Sequence, residues 1–219
     1  MPHVLTKTVY YFDELNDKAK EQARTWYREG ALRHEWWGAT YEDAKQCAEI
    51  LGIEIDARNQ KCILTGPNGR EWIDMSPAIY FSGFSSQGDG ACFEGSYSYA
   101  KEAAKAIRGH APVDAELHRI ADELTALQEA NGSRLRAIVK HSGHYYHSRC
   151  TDIDVIDSET GDATDTQADT ALAELLRDFM TWIYRQLETE HDYQLSDETV
   201  DESIRANEYE FTESGKRAC

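Results

Sequence analysis

Residues 78–99, AIYFSGFSSQGDGACFEGSYSY, set two aromatic, serine-rich arms on either side of Gln87-Gly88-Asp89-Gly90. Glycine tolerates positive φ and aspartate bonds its own turn, so Gly-Asp-Gly between strand-forming arms predicts a β-hairpin. With those four residues as the loop, Phe84 pairs with Phe93 and Tyr80 with Tyr97, and an aromatic ladder lines one face. Ile79, Phe81 and Ser85 then lie with Cys92, Glu94 and Ser98 on the other face. Gly83 and Gly95 leave room for another backbone or a ligand to come close.

The rest of the chain must supply the layers that cover such a hairpin. Residues 4–12 are β-branched and aromatic and predict a first strand. Asn16 is the expected N-cap of a helix to Glu29, with Leu15, Ala19, Ala23, Trp26 and Tyr27 on one face. A second helix is expected over 35–51 with Gly52 as its stop, and Trp26, Trp36 and Trp37 are expected to anchor the pair on a sheet. Residues 53–55 and 61–64 predict short strands, and 65–69 a turn. Helices follow over 99–108 and 114–130, the latter striped with Leu117, Ile120, Ala121, Leu124 and Leu127 and stopped at Asn131-Gly132. A second hairpin is expected from 135–141 and 144–156 across Ser142-Gly143. A long helix over about 165–191 carries Ala168, Leu172, Leu175, Phe179, Ile183 and Leu187 in a stripe that reads as a core face, with dimerisation as the alternative. Ser196 caps a short helix to Ala206, and 209–212 is a last strand. The expected fold is therefore α+β: an antiparallel sheet built from the hairpins at about 78–98 and 135–156, packed by several helices, in one domain spanning 1–219.

Forty acidic against 23 basic residues give a formal net charge of −17. Binding to a phosphate backbone through a broad basic surface is disfavoured, because counterion release needs clustered Lys and Arg. A basic protein is the partner such a chain suits, although excess carboxylates also serve solubility. The five cysteines have no paired spacing, residues 1–14 carry no apolar signal core, and no apolar run is long enough for a membrane span. These point to a reducing cytoplasm.

His141, His144, His147 and Cys150 recur every third residue, a spacing suited to one helix face. Read as a strand, the segment turns His147 away from His144 and leaves Cys150 about 20 Å from His144, so only His141 and His144 face each other. No metal is assigned to them. Cys92 lacks the neighbouring base a thiol nucleophile requires, and Asp89 lacks the spaced ligands of a calcium loop. No phosphate-binding, zinc-protease or nucleophile-elbow motif is present. Acidic clusters at Asp152/Asp154/Asp157/Glu159 and Asp197/Glu198/Asp201/Glu202 leave a DNA-mimic reading open.

The segments VYYFDELNDKAKEQARTWYRE, YEDAKQCAEILGIEID, IYFSGFSSQGDGACFEG, GHYYHS and SDETVDESIRANEYEFTESGK resemble a family of proteins encoded by phages and prophages of Proteobacteria, often titled "antitoxin of toxin-antitoxin stability system". The resemblance implies an accessory protein inside a bacterial cell. The expectation is a non-enzymatic acidic protein, monomer or homodimer and without cofactor, that occludes a basic host or phage protein. Phe84, Gln87, Asp89, Phe93, Glu94 and His147 are its candidate binding residues. The alternative is an enzyme or ligand-binding protein that uses the pocket around Gln87, Asp89, Glu94 and His147.

Overall fold

A computed structural model describes residues 7–58, 76–162 and 167–218. β1 (Tyr10–Tyr11) leads through a 3-10 turn at Phe12–Glu14 into α1 (Asp17–Ala31), so only the end of the expected first strand among the described residues is extended and paired. Asn16 caps α1 as expected, its side chain accepting from Ala19 N at 3.0 Å. α2 (Gly38–Leu51) is followed by β2 (Ile53–Ile55), β3 (Ile79–Phe81), β4 (Ala91–Phe93) and β5 (Gly95–Tyr97). Then come α3 (Ala103–His110), α4 (Ala115–Ala130), β6 (Leu135–His141), β7 (Thr151–Asp157), α5 (Gln167–Leu195), α6 (Asp197–Ala206) and β8 (Glu210–Phe211). The protein is α+β. The expected strand at 61–64 and turn at 65–69 lie outside the described residues, as does the expected helix start at Asp165.

The chain divides into two compact units, one of Ala39–Leu187 and one of Met1–Gly38 with Glu188–Cys219. In the first, β2, β5, β6 and β7 form an antiparallel sheet in that order. β6 alternates: Leu135, Ala137 and Val139 are buried while Arg136, Ile138 and Lys140 are exposed, the pattern of a sheet with one solvated face. Leu117, Ile120 and Leu124 of α4 are buried, as are Leu172, Leu176, Phe179 and Ile183 of α5. The buried face of α5 also takes in Ala173, Met180 and Trp182, wider than a two-position seam, so the expected stripe is spent on the core.

Both hairpins depart from expectation. β3 pairs with β4 in the register Ile79↔Phe93, Tyr80↔Cys92, Phe81↔Ala91, so neither expected aromatic pair forms. The turn is longer than four residues, and the second arm leaves the ribbon at Glu94. There Glu94 N donates to Ala78 O while its carbonyl accepts from Asp56 N, which passes the strand on to pair with β2. Gly95 is obligatory at this crossover, because a Cβ would lie 2.0 Å from Glu54 O. In the second hairpin β7 begins only at Thr151, and residues 142–150 form a loop rather than a strand. The face-by-face argument for His144, His147 and Cys150 therefore does not apply.

In the other unit α1 and α6 pack with the β1–β8 ribbon around Phe12, Leu15, Ala19, Ala23, Val200, Ile204 and Phe211. Trp26 sits edge-on to Tyr209 and Phe211 at 5.2 and 5.7 Å, so this tryptophan does anchor its helix on a strand pair. Arg24 of α1 grips Asp201 of α6 with two bonds of 2.7 and 2.8 Å, and the pair is mostly shielded. Buried Trp36 packs edge-on to Trp37 and against His191.

Candidate functional site

The loops at 82–90 and 142–150 lie side by side. Asp89 builds the first: its Oδ2 accepts from Ser85 N and Ser86 N at 3.0 and 2.7 Å, and these bonds hold its carboxyl below the ordinary aspartate value. Ser82 N donates to Gly90 O and closes the loop. The second is closed by Ser142 N donating to Cys150 O and Cys150 N to His147 O. A Cβ added to Gly90 would come 3.0 Å from His147 Cα, and one on Gly88 3.8 Å from the Tyr145 ring, so the two backbones touch where glycine permits it.

Aromatic side chains stiffen both loops. On one side Tyr41, Phe81, Phe84 and Tyr184 form a row with successive centroid distances of 6.3, 5.9 and 5.3 Å, and the Tyr184 hydroxyl donates to Gly83 O. On the other side Tyr80 stacks on Tyr146 at 5.3 Å, with the His141 ring 5.0 Å from Tyr146. The Arg58 guanidinium lies 4.7 Å over Tyr80 and donates to Ile79 O. Tyr80 in turn donates to Glu94 Oε2 at 3.2 Å, while Glu94 Oε1 accepts from His141 N. Burial, with Glu94 beside it, raises the Tyr80 phenol. Cys92 beneath is fully buried and pushed up to about 12 by that burial, then by Glu94 and Cys150; a thiol held protonated is a poor nucleophile.

The expected binding residues separate into distinct roles. Gln87 is exposed at the loop tip and Phe84 is half-buried in the aromatic row. Asp89 is engaged by its own loop, Glu94 by Tyr80 and His141, and His147 by Arg149 N, which donates to its Nδ1 at 3.1 Å. Phe93 is a correction. It is wholly buried against Phe179, because the actual register turns it into the core. On these two loops the tyrosines that reach solvent are Tyr145, 57% exposed, and Tyr146, 36% exposed. Their signal in the sequence is a Tyr-Tyr pair two residues after Gly143, in a segment that reads as a strand.

A family model described as Domain of unknown function (DUF8835) matches residues 36–197 of the 219. The chain belongs to the DUF8835 family. The match takes in the whole Ala39–Leu187 unit, and with it both loops, whereas α1, β1, most of α6 and β8 fall outside the matched residues. No curated protein and no solved structure matches this DUF8835 chain. Among the described residues no helix is long and apolar enough to cross a membrane.

Proposed function

We propose that this chain is a non-enzymatic, acidic protein-binding protein that occludes a basic host or phage protein, in the antitoxin-like or anti-defence manner its sequence resemblance implies. The supporting observation is the adjoining pair of loops, which holds Gln87, Tyr145 and Tyr146 toward solvent over a base of stacked rings. Tyrosine on a rigid base is a low-entropy anchor: it buries much area for little lost freedom. Charge favours a basic partner. Arg24, Arg28, Arg108, Arg119, Arg134 and Arg205 are all bridged to carboxylates of the chain itself, so the net −17 is presented as carboxylate surplus that steers a cationic surface.

The test compares the protein with its Tyr145→Ser/Tyr146→Ser variant on a bacterial lysate at low salt. A basic protein retained by the first, released by salt, lost with the variant and inhibited in stoichiometric mixture after purification is the expected result. Loss of one anchoring tyrosine costs about 2 kcal/mol, about 30-fold in affinity. Retention indifferent to both salt and the tyrosines, or none above background, overturns the proposal.

A further inference from the structure

Away from the loops, three potential ligands of different chemistry meet on two helices. Asp43 and Cys47 are four residues apart on α2, which stacks their side chains on one face. His110, the last residue of α3, brings its Nε2 to 3.1 Å from Asp43 Oδ1. A carboxylate oxygen, the Cys47 sulfur and an imidazole nitrogen all lie within 4.8 Å of one another. The thiol is 1% exposed and forms the floor, while Asp43 and His110 are at the surface.

We propose that Asp43, Cys47 and His110 form a zinc site that clips α3 to α2 and leaves a fourth position to water. Thiolate, imidazole and carboxylate together suit Zn²⁺ rather than the hard cations Mg²⁺ or Ca²⁺, which take oxygen ligands. Ligand bonds of about 2.0–2.3 Å put tetrahedral ligand atoms about 3.3–3.8 Å apart, so the trio closes on an ion by small rotations of the two surface side chains. Asp114 is the nearby second carboxylate, and both it and Asp43 act on the Cys47 sulfur. Asp114 is held outside the first sphere, since its oxygens accept from Leu117 N and Trp182 Nε1 at 2.9 and 2.7 Å. Its charge therefore adds to the attraction for a dication without filling the open position. Binding releases the thiol proton to solvent as the sulfur–zinc bond forms, and no redox change is involved. A cysteine-nucleophile reading of the same trio fits less well, because the sulfur is 1% exposed and closed to an attacking substrate.

The experiment strips the whole protein with chelator, then titrates Zn²⁺ and, in parallel, Co²⁺ as a spectroscopic substitute. One equivalent per chain, a sulfur-to-cobalt charge-transfer band, and about 100-fold or greater weakening in both Cys47→Ser and His110→Gln are expected. His110→Gln changes an exposed side chain and keeps the test valid if Cys47→Ser folds poorly. No zinc uptake, a cobalt complex without the sulfur band, or affinity unchanged in His110→Gln overturns the site. The outcome is independent of the tyrosine loops.

Discussion

Gln128 carries more of the larger unit than its type suggests. It is fully buried in the stripe of α4, where its Nε2 donates to Leu135 O at 2.7 Å and its Oε1 accepts from Leu135 N at 3.2 Å. One side-chain amide thus satisfies both main-chain groups of the first residue of β6. Gln128→Ala is expected to cost about 3 kcal/mol in denaturant unfolding, because it strands a buried N–H and C=O. Gln128→Leu is expected to cost nearly as much despite its similar volume; a near-neutral Leu variant would show that packing, not bonding, is the function of this residue. Periodicity placed position 128 on the helix, and only the partner strand reveals why a polar residue stands in an apolar stripe.

At the level of elements, helices were easier to locate than strand partners. Asn16, Asp114 and Ser196 all cap the helices that begin after them, and Gly52 stops α2 at φ +85°, where a Cβ would lie 2.1 Å from Ser98 O. Capping is local chemistry within a few residues, so it is readable along the chain. The hairpins are different. Gly-Asp-Gly located the loop but not its length, which depends on Asp89 reaching back to Ser85 and Ser86 and on Gly95 meeting Glu54 from a strand 41 positions earlier in the numbering. Gly95→Ala is expected to lower stability by about 3 kcal/mol. Amide exchange should quicken across β2 and β5 first, while the β6–β7 pair keeps its protection. Uniform acceleration through all four strands would mean that the crossover is not the local weak point.

For the whole molecule, charge sets the response to pH. Asp201, Glu116, Asp122, Asp157 and Glu174 are held below their ordinary carboxylate values, by bonds to Arg24, Arg119 and Arg108, to Glu159 N, and to Arg149 respectively. A carboxylate depressed in the folded state contributes stability fully above its unfolded value and loses it as pH falls through the folded one. The surplus carboxylates repel one another, and that repulsion eases as they begin to protonate. The melting temperature is therefore expected to change little from pH 7 to about 5, where ordinary carboxylates remain ionised, and to fall below about 4 as the paired carboxylates protonate, less steeply at low salt where eased repulsion offsets part of the loss. A melting temperature that held level or rose below pH 4 would show that eased repulsion outweighs the ion pairs.

The sequence by itself determined the α+β class, the helices, the Asn16 and Ser196 caps, the place of the Gly-Asp-Gly loop and the acidic character, since each follows from local propensity, periodicity of 3.6 or 2, or simple counting. Tertiary structure alone decided the register of β3 with β4, the conversion of residues 142–150 from strand to loop, the burial of Phe93, and the meeting of Asp43 and Cys47 with His110. Each depends on which distant backbone or side chain comes within a few ångströms, and separation along the chain carries no record of that distance. Of the loop surface, Gln87 was legible in the sequence, while the Tyr145-Tyr146 pair, Arg58, Tyr184 and the stacking of Tyr80 on Tyr146 emerged only when the chain closed on itself.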